Sequence, residues 1–193
     1  MELLKALNEL IMNLLNILGS WGAIVGCVFI LFESIIPVLP LSLFITLNFL
    51  TFGNLLGFII SHVFTVLGCM MSYFIFRKCV SDNRLNKFKE NKTLLKVINV
   101  IENMDFRSLV LLIAIPFTPA FAVNIAAGIC RVNERKFLLA LIIGKISLVY
   151  FWGYIGVSLV EALKEPVVLI KVVFLLIGVY IISYGLSKKL KIK

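Results

Sequence analysis

Histidine is almost missing from this chain. His62 is the one copy, which rules out an H-E-x-x-H zinc site and most multi-histidine metal centres. The G-x-S-x-G of a serine hydrolase is absent. So is a glycine-rich phosphate loop with its lysine, and ATP drive is not expected. Cysteine is sparse: Cys27, Cys69, Cys79 and Cys130 are scattered with no C-x-x-C pair, and three lie in apolar stretches where the thiol acts as a small hydrophobe. No enzyme activity, metal or cofactor is expected. Charge is low as well. Of 193 residues, 15% are charged and 61% hydrophobic, whereas a soluble domain is roughly one quarter charged and one half apolar. There is too little polar surface to cover a water-soluble globule, and a bilayer is the solvent that accepts the remainder.

The charge that exists is biased. Nineteen Lys and Arg against ten Asp and Glu give a formal charge of +9. The basic residues sit in short loops and in the tail rather than among exposed aromatics, so nucleic acid is not an expected partner. The pattern fits the positive-inside bias of cytoplasmic loops. The length allows roughly five or six bilayer-depth segments, small for a transporter, and a homodimer is expected. The start, with Glu2 and no basic region before its apolar run, does not read as a cleavable signal peptide.

Along the chain, residues 1–20 read as an amphipathic helix. Glu2, Lys5, Glu9, Asn13 and Asn16 share one face and leucines cover the rest. The apolar run 21–33 ends at Glu33 and is too short to span. Pro37 and Pro40 interrupt the chain before a second short run, 41–52, which suggests a re-entrant hairpin. Residues 55–76 are long enough to span, and Gly57, Ser61, Gly68 and Ser72 permit close helix approach. The loop 77–107 is the most polar part and is expected in the cytoplasm. A second broken run, 108–130, is interrupted by Pro116 and Pro119. Residues 137–160 and 167–186 can each span, and the basic tail places the C-terminus in the cytoplasm. The expected architecture is therefore an all-α, multi-pass bundle of the cytoplasmic membrane. It comprises the N-terminal helix (1–20), a membrane domain (21–160), and a final span with its tail (161–193).

The two broken runs match. Pro37-x-x-Pro40 and Pro116-x-x-Pro119 have the same spacing, and each is followed by one Asn (Asn48, Asn124) and then a Gly (Gly53, Gly128). Pro- and Gly-interrupted short segments in corresponding positions of two halves point to a transport site. The expected arrangement is an inverted repeat, the hairpins entering from opposite faces with tips meeting near mid-bilayer. Within it, Glu33 is a candidate proton carrier, because an ionisable group at depth is costly unless it works. Lys145 lies inside the 137–160 span, placed to meet Glu33 or a lipid phosphate, or to snorkel to the surface. Arg131 and Arg77 are headgroup ligands or positive-inside anchors. Asn124 either bonds freed backbone or lines the route. A packed, neutral His62 is expected.

Phe32-Glu33-Ser-Ile-Ile-Pro37-Val-Leu-Pro40 resembles the acidic-then-P-x-x-P segment of the DedA family, and Leu67 to Arg77 resembles its next helix. Ile115-Pro116-Phe-Thr-Pro119, Asn124, Ala126-Ala127-Gly128, Phe137 and Gly144 are similar to the VTT-domain (SNARE-associated) branch. The resemblance covers about residues 20–160. It implies two opposed re-entrant hairpins and the movement of a phospholipid or polyprenyl phosphate across the bilayer, as a flippase or scramblase, passively or with protons. The chain departs from the family at Cys69, where an acidic residue is usual, at Ile113, where an Arg is common, and at Phe76, usually Gly. Two other readings stand beside it: a small-solute or ion carrier, which needs a closed polar cavity, and a non-transporting scaffold or envelope-maintenance factor acting through 77–107.

Overall fold

In the computed structural model the interrupted apolar runs form helices that stop close to where the sequence breaks them. The structure describes residues 24, 26–36, 41–79, 98, 100–101, 104–162 and 166–189. The expected N-terminal helix, both prolines of the first break, most of the polar loop and the last residues of the tail lie outside the described residues. The elements are α1 (Gly26–Ile35), α2 (Leu41–Cys79), α3 (Phe106–Ala114), α4 (Ala120–Ile129), α5 (Glu134–Ala162) and α6 (Pro166–Lys189). Helix α1 runs past Glu33 to Ile35, because a glutamate at the end of an apolar run does not itself stop a helix.

Helix α2 is two limbs. Gly53 has φ 77° and ψ 176° inside it, a conformation essentially reserved for glycine. The chain reverses there, separating 41–52 from 54–79 close to where the apolar pattern divides. The first limb folds back on the second: a side chain at Gly57 would meet the Asn48 carbonyl at 2.6 Å. Asn48 Nδ2 donates to Ser61 Oγ at 3.0 Å. Helix α1 lies along the same first limb, with Phe29 stacked on Phe44 at 5.0 Å and Gly26 beside the Asn48 side chain.

The second broken run folds as α3, a turn at 115–119, and α4. Thr118 N donates to the Ile115 carbonyl, and the Pro119 carbonyl accepts from Ala122 and Val123 to start α4. Proline fits this place because the first amides of a helix have no partner within it. Helix α4 packs tightly on the second limb of α2, where a Cβ on Gly128 would lie 2.6 Å from the Tyr73 carbonyl. Gly128→Val is therefore expected to destabilise the protein by about 1–3 kcal/mol, read as a lower thermal midpoint in detergent. An unchanged midpoint would contradict this packing.

The long helices carry their polarity inside out. On α2, Leu55, Ile59, Val63, Leu67, Met71 and Ile75 recur every fourth residue and are exposed. Gly57, Ser61, Thr65, Gly68 and Ser72 are buried. A helix with large aliphatics outward and small polar residues inward is built for lipid around it and helices against it. Among the described residues, Leu41–Lys78, interrupted at Gly53, and Glu134–Ala162 are long and apolar enough to cross a membrane. The hydroxyls of buried Ser34 and Thr65 and of half-buried Thr46 donate to the carbonyl four residues back, at 2.6–3.0 Å, so they need no water.

Two cores divide α5 between them. The first contains Phe137, Ala140 and Leu141 of α5 with residues of α3, α4 and the α2 second limb. The second contains Leu148 and Val149 of α5 with Ile30, Phe44, Ile45 and Phe49. Helix α6 packs along α5 with most of its aliphatic surface exposed.

Candidate functional site

Lys145 sits where the two cores of α5 meet. It lies eleven residues after the start of α5, about 16 Å along the helix at roughly 1.5 Å per residue, and is 2% exposed. A lysine buried among apolar helices is costly unless it has polar company. Its company is specific. A small cavity of about 10 Å³ is lined by Thr118, Ala120, Asn124 and Lys145, with Ile113, Val123, Leu141 and Leu148 as apolar walls. That space is on the order of one water. The turn between α3 and α4 thus brings Thr118 and Asn124 to the lysine.

Glu33 approaches from α1. It interacts electrostatically with Lys145, but among the described residues no carboxylate pairs with Lys145 within 4 Å; the ion pair found there joins Arg77 and Glu134. His62, on the α2 second limb, also interacts with Lys145 and faces its main chain. Its ring stacks on Phe58 at 5.7 Å. From the sequence alone His62 is a packed, neutral side chain. Its place beside Lys145 depends on how α2 meets α5, which no spacing along the chain reveals.

Four buried polar atoms, Asn124 Nδ2, Asn48 Oδ1, His62 Nδ1 and Ser72 Oγ, have no partner among the described residues, and Asn124 and His62 stand beside Lys145. Buried polar atoms are nearly always satisfied, so such a group of exceptions needs a reason. The two asparagines of the matched segments, Asn48 and Asn124, are both among them. Among the described residues, no group of three His, Cys, Asp or Glu stands close enough to hold a metal ion.

Arg77 and Arg131 belong to a second site at the far end of α4. Arg77 donates to the Tyr73 hydroxyl, lies 3.4 Å from the Val132 carbonyl and 3.5 Å from Glu134 Oε1, and has its guanidinium carbon 5.6 Å from the Tyr73 ring centre. The Tyr73 hydroxyl in turn donates to Val132 at 2.6 Å. Arg131 sits in the turn between α4 and α5. The candidate pathway residues thus fall into a group around buried Lys145 (buried Asn124 and half-buried Glu33) and a group at the end of α4 (half-buried Arg77 and exposed Arg131). Of the break residues, Pro116, Pro119 and Gly128 frame α4, while Pro37 and Pro40 lie outside the described residues.

The VTT domain family model matches residues 36–158. The chain is 30% identical over 148 residues to the uncharacterized membrane protein YhjE of Bacillus subtilis (strain 168), covering 77% of this chain and 72% of that one. It is 24% identical over 128 residues to the uncharacterized protein YqeD of the same organism, covering 66% of this chain and 62% of that protein. No solved structure matches the chain.

Proposed function

Since the chain belongs to the VTT-domain (DedA) family of membrane proteins, we propose that it carries a lipid headgroup across the bilayer, a phospholipid or a polyprenyl phosphate. The route runs between two re-entrant hairpins, α1 with the first limb of α2, and α3 with α4. They enter from opposite faces as an inverted repeat, and the C-terminus is cytoplasmic. The observation that carries this reading is buried Lys145, held with Asn124 at the point of α5 where the two cores meet. A cation at that depth gives an anionic headgroup a resting place in hydrocarbon. Asn48 Oδ1 and Asn124 Nδ2, unpartnered among the described residues, supply polar contacts that a dry helical core would not leave open.

The cavity holds about one water, so the headgroup passes only when a hairpin tip moves off α5. Glu33 shares the field of Lys145 and is the group that exchanges a proton if movement is driven. The aliphatic stripes of α2 and α6 keep the acyl chains in the bilayer while the headgroup moves. A solute carrier would instead keep its polar groups in a closed, water-filled chamber, and the small volume at Lys145 weighs against that.

The test is translocation in proteoliposomes, with a fluorescent phospholipid, a polyprenyl phosphate and a panel of small solutes in parallel. The expected result is lipid movement well above protein-free vesicles without solute uptake. Solute uptake without lipid movement would replace this reading with the carrier.

A further inference from the structure

We propose that the open cleft lined by Arg77, Arg131, Asn133, Glu134 and Arg135 binds a phosphate monoester, with Glu134 as a built-in competitor for Arg77. The proposal rests on the transport reading only for the source of the anion, a lipid headgroup rather than free phosphate.

The cleft, of about 460 Å³, lies where α4 hands over to α5. Three arginines and one glutamate leave it with a net charge of +2, the complement of a phosphate monoester carrying about −1.5 to −2 near neutral pH. Arg131 and Arg135 make no side-chain hydrogen bond or ion pair among the described residues. Arg77 is oriented by Tyr73 and Val132 and spends its remaining charge on Glu134. That pair is partly exposed, 31% and 52% for the two side chains, and an ion pair in such a setting is weak. A phosphate with several acceptor oxygens makes stronger charge-assisted bonds to guanidinium groups than one carboxylate does. The anion therefore exchanges with Glu134 rather than adding to it.

Backbone geometry separates this cluster from ordinary surface charge. Helix α4 ends in a Schellman turn, in which Val132 N bonds the Ala127 carbonyl and Arg131 N bonds the Gly128 carbonyl. The residue at the left-handed position of that motif is usually glycine. Here it is Arg131, with φ 51°, the one non-glycine residue at positive φ among those described. A guanidinium stands where glycine would be more stable, and strained residues of this kind cluster at ligand sites. The site is made by side chains, not by the start of α5, because Asn133 Oδ1 already accepts from the amides of Arg135 and Lys136.

The experiment is equilibrium binding to the full-length protein in detergent, using short-chain phosphatidic acid, phosphatidylglycerol and inorganic phosphate as probes. Phosphatidic acid is expected to bind at least several-fold tighter than phosphatidylglycerol, which carries a diester with one charge. Arg131→Gly is expected to weaken phosphatidic acid about tenfold while leaving the thermal midpoint unchanged or raised, since glycine relieves the turn. Arg135→Ala should weaken it comparably, and Glu134→Gln should tighten it several-fold by freeing Arg77. Inorganic phosphate that fails to displace the lipid supports a lipid headgroup as the source. Displacement at equal affinity supports the same phosphate site with a free anion as its ligand. Equal binding of the two lipids, or wild-type affinity in both arginine variants, would overturn the proposal. Translocation is not read here, so a protein that binds phosphatidic acid but moves no lipid keeps this site and loses the transport reading.

Discussion

Lys145→Met is expected to slow lipid movement about tenfold to a hundredfold while leaving the protein as stable as before, or more so. The two directions follow from the same burial. Methionine nearly matches the lysine stem in volume and needs no solvation. Lys145 has no carboxylate within 4 Å among the described residues, so replacing it with an apolar residue of similar size removes an uncompensated desolvation cost. The headgroup, however, loses a charge-assisted hydrogen bond at the deepest point of its route, about 1.5–3 kcal/mol, at about 1.4 kcal/mol per tenfold in rate. Rate and thermal midpoint measured on the same preparation separate the cases. A lower midpoint with an unchanged rate would mean that Lys145 is structural and that the headgroup passes elsewhere.

Gly53→Ala is expected to destabilise the protein by about 1–3 kcal/mol through the backbone alone. The position is well suited to that test. Among the described residues nothing lies within 4 Å of where a side chain would begin, so the cost comes from forcing φ 77° on an L residue. Gly53→Ala and Gly53→Ser should therefore lower the midpoint by similar amounts, unlike Gly128→Val, where a collision with the Tyr73 carbonyl sets the cost. Because Gly53 reverses the chain between the two limbs of α2, its variants should also lose transport as the first limb detaches from Ser61. An unchanged midpoint would mean that the helix can run straight through residue 53.

Much of this arrangement was legible where local chemistry decides it. Pro116 and Pro119 cannot continue a helix, and the break between α3 and α4 falls on them. The division of α2 near residue 53 follows from a glycine between two apolar runs. The small residues Gly57, Ser61, Gly68 and Ser72 mark a packed face and are all buried. What escaped the sequence reading depends on contacts between distant segments. His62 gains meaning only from the approach of α5. Glu134 and Arg135 carry no signal along the chain, and the turn between α4 and α5 brings them to Arg77. The strain at Arg131 could not be anticipated, since nothing in the run Gly128 to Val132 says which residue takes the left-handed position. The matched Asn–Gly segments also diverge in detail: the first half places its left-handed turn on Gly53, the second on Arg131, three residues beyond Gly128.

The most direct measurement is photolabelling during turnover, with a phospholipid that carries a diazirine on its headgroup and the adducts located by mass spectrometry. The account predicts adducts on Thr118, Asn124 or Lys145, reduced in Lys145→Met, together with adducts at the arginine cleft. Adducts confined to the outward stripe of Leu55, Ile59 and Val63, with none at the junction of the two cores, would contradict it.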